Sequence, residues 1–518
     1  MKELIIVGSG LAALSCIRYL DAETEVILFT KDELETNNSH LAQGGISYSG
    51  KESDREHTED TYAAGDHLGS KEFISKMIDA SFPVIEEMIA GGMNFDRDDS
   101  GSLALALEGG HHTPRILHAG GDRSGRRISE FLSEQVKDKN VDAHAGEKVI
   151  KVLVENNQAV GVVTLDRSDN QHNYFADAVI LATGGYSGLY SVNSGASAEM
   201  GSGHILAYDA GVKLRQMEMI QFHPTLLGMN DKTCGLVSEA VRGEGGLLVD
   251  AGGRRIMEGV HPLRDLAPRH ITSYEIFKRM TCAQQTYLDI RPVKDFRNKF
   301  PTIYKNVEKH FGKDLNRGRI PVTAGAHFTV GGAVADIDGS TSVNHLYIIG
   351  ETANTHFHGA NRLASNALLE AVVMGAEAAK KINQSEMTDV HKKVRDMPVL
   401  PVYAEDDHRT IKEKAMAAVG IIRSAENLEE LLHLIDMRHS KTVTGAVTNR
   451  SFQMYSEIKT IEAIAKSALL RTETRGGHFR EDFPGNNIND MDTIVSLKDG
   501  KMHAQYIERK RENQTILH

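Results

Sequence analysis

The residues Glu108, His111, His112 and His118 surround the glycines of Leu107-Glu-Gly-Gly-His-His112, with Arg115 among them. An acid and three imidazoles gathered this way can wall a site that moves protons or holds charged substrates. A second set points to phosphate: Gly8-Ser-Gly10-Leu-Ala-Ala13 has the spacing GxGxxA. There Gly8 permits a tight turn, Gly10 lets backbone approach a pyrophosphate, and Ala13 lets the following helix lie close to its strand. In Asn37-Asn-Ser-His-Leu-Ala-Gln-Gly-Gly-Ile46, the Gln-Gly-Gly turn can lie flat against a ring system. Finally, Gly359-Ala-Asn-Arg-Leu-Ala-Ser-Asn-Ala-Leu-Leu-Glu370 starts a helix running to about Ile382. Backbone N–H groups near Ser365 or Asn366 would attract an anionic oxygen there.

These groups need elements to carry them. Leu4 to Val7 is a short apolar run suited to a buried strand, and a helical pattern continues from the glycine turn to Leu20. Thr24 to Thr30 is the second strand. It ends on Thr30-Lys31, with Asp32 and Glu33 beyond, not on the acid that usually holds ribose hydroxyls, which weighs against an NAD site. Val149 to Val154, a turn at Asn156-Asn157 and a returning strand predict a hairpin. Ala178-Val-Ile-Leu-Ala-Thr-Gly-Gly185 is another buried strand entering a glycine turn. From about Gln216 to Pro321 the composition changes; Leu346 to Ile349 and Gly350-Glu351 then resume the first pattern. Amphipathic spacing in Asp406–Gly420, Ala425–Arg438 and Phe452–Leu470 predicts three helices, and Tyr506 to His518 reads as a solvated tail.

The fold class is therefore α/β: a Rossmann-like nucleotide-binding domain, an inserted α+β capping domain that closes over substrate, and a C-terminal three-helix bundle. The expected division is 1–216 and 322–385 for the nucleotide domain, 217–321 for the cap and 386–518 for the C-terminal part. A net charge of −12 and a pI near 6.1 argue against nucleic acid or an anionic membrane as partner. No run of about eighteen apolar residues predicts a membrane-spanning helix, and the immediate strand at the N-terminus leaves no room for a signal peptide. Cys16, Cys234 and Cys282 lack CxxC spacing and fit reduced thiols in the cytoplasm, not a disulfide framework or an iron–sulfur cluster. No metal site is expected.

In this order the segments resemble the flavoprotein family of L-aspartate oxidase, fumarate reductase and the succinate dehydrogenase flavoprotein. The resemblance rests on Gly8-Ser-Gly10, Ala42-Gln-Gly-Gly45, Leu181-Ala-Thr-Gly-Gly185, Gln221-Phe-His-Pro-Thr225 and Arg242-Gly-Glu-Gly245. It continues through His327-Phe-Thr-Val-Gly-Gly332 and Gly359-Ala-Asn-Arg-Leu-Ala-Ser-Asn366, covering nearly the whole chain. It implies FAD, lined by Gly8, Ser9, Gly10, Leu11, Ala12, Ala13, Lys31, Asn38, Ser39, His40, Leu41, Ala42, Gln43, Gly44 and Gly45. Further lining would come from Val149, Thr183, Gly184, Ser202, Glu351, Ser365, Asn366, Ala367 and Leu368. Succinate dehydrogenases bond FAD to a His five positions before this Gln; here that position is Asn38, so noncovalent FAD is expected.

The resemblance also assigns His223, His327 and Arg362 to substrate carboxylates, Gln221, Ser238 and Glu239 to further contacts, and Arg269 to substrate orientation and proton transfer. Arginine's high pKa makes a clamp the better role for Arg269 than a base. Glu108 can hold an ammonium group, which an amino dicarboxylate has and succinate lacks. Together with Arg471-Thr-Glu-Thr-Arg475 and Gly-Gly-His478, this favours the aspartate-oxidising branch. That branch passes a Cα hydride to flavin N5, is reoxidised by oxygen or fumarate, and feeds iminoaspartate to quinolinate synthase for NAD synthesis. Two departures stand out: Arg269-His270 replaces the family's Arg-Asp, and Met200-Gly-Ser-Gly203 replaces Thr-Gly-Asp-Gly, so Ser202 keeps hydrogen bonding without charge. The alternatives are a soluble fumarate reductase or succinate oxidase, and a flavin-binding protein without turnover.

Overall fold

The computed structural model describes residues 2–31, 37–50, 53–195, 200–229, 232–386, 398–440, 442–485 and 491–508. Strand β1 (Glu3–Val7) leads through Gly8–Gly10 into helix α1 (Leu11–Tyr19) and then β2 (Glu25–Thr30). After α2 (Asn38–Leu41), α3 (Ser124–Gln135) precedes β3 (Val141–Ala145). An antiparallel ribbon follows, β4 (Lys148–Glu155), β5 (Gln158–Leu165) and β6 (Gln171–Phe175); its first turn carries Asn156 and Asn157 at positive φ, the geometry of a tight hairpin. Then come β7 (Ala178–Leu181) and α4 (Ser202–Asp209).

The next segment holds β8 (Ile220–Met229), β9 (Lys232–Leu236), β10 (Leu247–Asp250), α5 (Arg269–Thr281), β11 (Thr286–Asp289), α6 (Pro301–Leu315) and β12 (Arg319–Thr329). Its strands form a sheet ordered β9-β8-β12-β11-β10, antiparallel throughout. Strand β12 carries this sheet beyond residue 321 as far as Thr329. The first fold resumes with β13 (Leu346–Ile348), giving a five-stranded parallel sheet β13-β7-β1-β2-β3, and with the long helix α7 (Asn366–Gln384).

The parallel sheet is the core. Leu4, Ile5 and Ile6 have no exposed surface, and burying each contributes about 1.5–3 kcal/mol relative to exposure. Helices α1 and α7 cross at minimal separation because a Cβ at Gly375 would overlap the Ala12 carbonyl, and Ser15 Oγ donates to the Val372 carbonyl at 2.6 Å. Ala13 lies in this packed layer, fully buried.

The C-terminal helices form as predicted, α8 (Glu405–Ala418), α9 (Ala425–His439) and α10 (Asn449–Leu470), the last opening on a Thr448–Ser451 capping box. The tail expectation needs correction. Residues 491–508 form a hairpin, β14 (Met491–Lys498) and β15 (Lys501–Glu508), and β14 also pairs with Leu214-Arg215. Tyr506 pairs opposite Thr493 and lies against the Arg471 guanidinium, so it is not free in solvent. Asp499-Gly500, both at positive φ, is a hairpin signal present in the sequence. Residues 509–518 lie outside the described residues, as do Asp32 and Glu33. Among the described residues no helix is long and apolar enough to cross a membrane.

Gly8 adopts φ +111°, and a Cβ there would overlap the Ala182 carbonyl. Gly8→Ala should therefore cost roughly 2–4 kcal/mol, through strain and overpacking at a turn the whole sheet shares. A fall in thermal midpoint of roughly 2–4 °C is expected; an unchanged midpoint would show that the turn relaxes freely.

Candidate active site

One cavity of about 800 Å³ runs from the Gly8–Ala12 turn to Arg269, His327 and Arg362. Its nucleotide end lies where β1 enters α1, with Lys31 after β2 and Val149 on β4. The carboxylate here comes from a residue the sequence reading did not select. Glu147 reaches the cavity from the turn before β4, held by Thr164 Oγ1 and by His144 Nδ1 at 3.0 Å. The N-terminal part of α10 adds Asn449, Phe452, Gln453 and Ser456, which carried no local motif.

Toward the middle, Asn38 to Gly45, Thr183, Gly184, Ser202 and Glu351 all line the cavity. Gln43 Oε1 is buried without a hydrogen-bond partner among the described residues, an acceptor waiting for a ligand donor. A Cβ at Gly203 would overlap Thr183 Oγ1, which sets the start of α4 against the β7 turn. Glu351 Oε1 accepts from Thr329 N and Oγ1 at 2.8 and 2.9 Å. Helix α7 points its N-terminus into the cavity through Ser365, Ala367 and Leu368, and Ser365 sits at φ +63°. The dipole of this 19-residue helix favours negative charge at that end.

Two residues expected against the cofactor face elsewhere. Ala13 belongs to the α1–α7 packing layer, as described. Asn366 is a bolt: Ser47 Oγ donates to its Oδ1 at 2.6 Å, His57 Nε2 lies 3.0 Å from the same atom, and its Nδ2 donates to Thr61 Oγ1. Of the histidine wall around Glu108, only Glu108 reaches the cavity. His111 Nε2 is spent on the Ala364 carbonyl at 2.9 Å, and His112 is turned outward to Asp60. Arg115 pairs with Asp54 and Asp60, each at 3.2 Å.

The far end is built where β8 and β12 meet α5 and the loop before α7. Arg269 donates through Nε to Glu239 Oε2 at 2.6 Å and through Nη1 to Gln221 Oε1 at 2.8 Å. Arg362 Nη2 donates to that same Gln221 oxygen at 3.1 Å, while Gln221 Nε2 donates to Asn361 Oδ1 and the Arg362 carbonyl, both at 2.8 Å. Gln221 does not line the cavity; it ties the two arginines together from behind. Glu239 also pairs with Arg242 at 3.1 Å, and Ser238 lines the wall beside it. A Cβ at Gly109 would overlap Glu239 Oε1, and one at Gly110 would stand 2.7 Å from Leu363, which explains the two glycines after Glu108.

Hydrogen-bond direction sets the histidine tautomers. Thr225 N–H donates to His223 Nδ1 at 3.1 Å, so the neutral ring carries its proton on Nε2. Arg362 donates to His327 Nε2 at 3.2 Å, so that ring is protonated on Nδ1 and donates to Ser194 Oγ at 2.7 Å. Burial and the nearby guanidiniums hold both imidazoles well below the usual histidine range. Burial and the charge of Arg269 press Arg362 down to about 9, and Arg362 makes no ion pair among the described residues. Its Nε is buried and unpartnered. Such a guanidinium calls for an incoming carboxylate. Burial opposes charge on Glu108, but His118, Ser365 and Arg269 outweigh it and hold its carboxyl at about 2. The site thus offers guanidinium and imidazole N–H groups for carboxylates and one ionised acid.

Residues 3–368 match the FAD binding domain family model, and residues 408–511 match the fumarate reductase flavoprotein C-terminal model. The L-aspartate oxidase of Bacillus subtilis is 38% identical over 487 residues, covering 93% of this chain and 91% of that protein. The chain belongs to the fumarate reductase and succinate dehydrogenase flavoprotein family. It is an FAD-dependent oxidoreductase. The L-aspartate oxidase of Halalkalibacterium halodurans is 36% identical, covering 99% of this chain and 98% of that one. A quinol fumarate reductase structure from E. coli superposes with a TM-score of 0.87 at 25% identity, covering 99% and 97% of the two chains. The cavity fits the FAD of this family: a glycine turn at one end, the unpartnered Gln43 acceptor and the α7 N-terminus farther in.

Because Gln221 accepts from both arginines, Gln221→Ala should weaken succinate binding by roughly 10- to 100-fold, the cost of two misplaced buried donors. Perturbation of flavin absorbance measures this. An unchanged constant would mean that the arginines hold themselves in place.

Proposed function

We propose that this protein oxidises L-aspartate to iminoaspartate. The observation that carries the reading is Glu108, a buried ionised carboxylate lining the same cavity as Arg362, a guanidinium without a carboxylate partner among the described residues. Aspartate presents matching charges: two carboxylates and one ammonium. Succinate and fumarate present no cation and so leave Glu108 without a ligand partner. The full-length similarity to proteins named L-aspartate oxidase supports the same substrate.

Arg362 and His223 Nε2–H take up carboxylate oxygens, Arg269 orients the second carboxylate, and Ser238 adds a hydroxyl. His327 serves first as a platform for Arg362 and becomes free to meet substrate when Arg362 turns to a carboxylate. Glu108 holds the amino group beside the α7 N-terminus. Bound FAD would supply the two-electron acceptor for the Cα hydride, and one ammonium proton would pass to solvent as the C=N bond forms. The residues from Gly8 to Ala12, Lys31, Asn38 to Gly45, Thr183, Ser202 and Ser365 hold it noncovalently, since Asn38 replaces the ring that bonds flavin in succinate dehydrogenases. Oxygen or fumarate would serve as the final electron acceptor, and the imine product would pass toward quinolinate and NAD through quinolinate synthase, in the cytoplasm. The cap corresponds to residues 217–321, its last strand running on to Thr329, between two parts of the FAD domain, 1–216 and 322–385, with the C-terminal domain at 386–518.

Aspartate added without oxygen should bleach the yellow protein, and Glu108→Gln should lower kcat/KM for aspartate by about 100-fold or more, against tenfold or less for fumarate reduction. Equal losses for both substrates would move the assignment to a fumarate reductase. Acid precipitation should leave the yellow colour in the supernatant; colour retained in the pellet would mean a covalent flavin.

A further inference from the structure

His118 stands behind Glu108, off the cavity wall, with Nε2 3.4 Å from Glu108 Oε1. The other carboxylate oxygen, Oε2, accepts from Ser365 Oγ at 2.7 Å. Oε1 is buried, accepts no hydrogen bond and has the His118 ring as its neighbouring cation, while the carboxylate as a whole lines the cavity. The Glu108 side chain is 3% exposed and that of His118 16%, so the pair is largely shielded while His118 keeps a route to water. Asp96, whose carboxylate accepts from Gly120 N and Gly121 N at 2.8 and 3.1 Å, and the Gly121 backbone also act on His118, and Arg269 also acts on Glu108.

We infer that His118 is a displaceable countercharge: it is protonated while the site is empty and gives up its proton to solvent when a substrate ammonium reaches Glu108. This rests on the reading of Glu108 given above. The reason is local charge balance. One shielded carboxylate compensates one cation well, and a second cation within a few ångströms of the first is repelled. Although burial disfavours it, contact with Glu108 and the field of Asp96 raise the imidazole's affinity for a proton in the empty site. An arriving ammonium reverses that balance. The proton leaves from the imidazolium to bulk water, and neutral imidazole remains beside the Glu108–ammonium pair. A dicarboxylate without an ammonium leaves His118 charged. The pair thus keeps Glu108 neutralised until an amino dicarboxylate arrives, and His118 acts as a positioning residue that couples aspartate binding to proton release, not as a catalytic one.

Binding that releases a proton weakens as pH falls below the pKa of the releasing group in the empty site. The holoenzyme is titrated between about pH 7 and 8.5, above the titration of both ligands' carboxyls and below that of the aspartate ammonium. The half-saturating aspartate concentration for anaerobic flavin reduction is compared with the succinate dissociation constant from flavin absorbance. Aspartate affinity should fall by up to about tenfold per pH unit on the acid side, with no matching fall for succinate. In His118→Asn and His118→Gln, aspartate affinity should lose this slope and exceed wild type at the acid end. Parallel slopes for the two ligands in the wild-type enzyme would overturn the inference without any variant. So would an aspartate slope that survives in either variant, or a uniform loss of affinity for both ligands. A wild-type enzyme that aspartate never reduces would instead overturn the substrate assignment, and this inference with it.

Discussion

Two guanidinium groups share one neutral oxygen at the centre of this molecule. Arg269 and Arg362 both donate to Gln221 Oε1, one from a helix of the inserted segment and one from the loop before α7. Buried like charges repel, and they remain together only when acceptors outnumber the alternatives. Glu239 supplies the countercharge for Arg269, while Gln221 and the His327 ring orient Arg362 without neutralising it. The outcome is a clamp held in shape and still short of anion. Everything else in the site is arranged so that this cluster can exist.

Holding the cluster requires the inserted sheet to meet the nucleotide part at one register. Gln221 and His223 lie on β8, His327 on β12, and the two strands pair antiparallel through irregularities at those positions. The amide of Gln221 reaches across to Asn361 and the Arg362 backbone, so the clamp forms only where the strand and the loop touch. A second junction lies nearby. Asp122, just before α3, accepts from Thr302 N and Ile303 N at 3.2 and 2.8 Å and so caps the start of α6 in the inserted segment. The acid thus satisfies first-turn N–H groups that have no partner inside the helix, while Pro301 at the first position has no N–H to satisfy.

The nucleotide half depends on close packing of small residues. Gly375 lets α7 cross α1, and this crossing aims the α7 N-terminus at the middle of the cavity. The same helix start carries Ser365, which holds Glu108, and Asn366, which is bolted to Ser47, His57 and Thr61. Cofactor cradle and substrate selection therefore share one backbone feature. The two glycines after Glu108 serve the same geometry, since a side chain there would collide with Glu239 or Leu363.

What the sequence determined by itself was whatever depends on short-range pattern. The β1–Gly8–α1 turn, the Asn156-Asn157 hairpin, the start of α7 and the three C-terminal helices are set by steric needs and periodicity within a few residues. The β14–β15 hairpin was missed, although Asp499-Gly500 marks its turn, and its docking on Leu214-Arg215 has no local signal. Only the tertiary structure decided which polar groups face the ligand. It turned Asn366, Ala13 and Gln221 away from the cavity, left Glu108 alone of its histidine-rich loop on the wall, and brought in Glu147, Ser194 and the α10 residues from distant segments. The physical reason is that a polar side chain's role follows from its partners. His111, His327 and Gln221 meet theirs, Ala364, Ser194 and Arg269, across separations that no local pattern encodes.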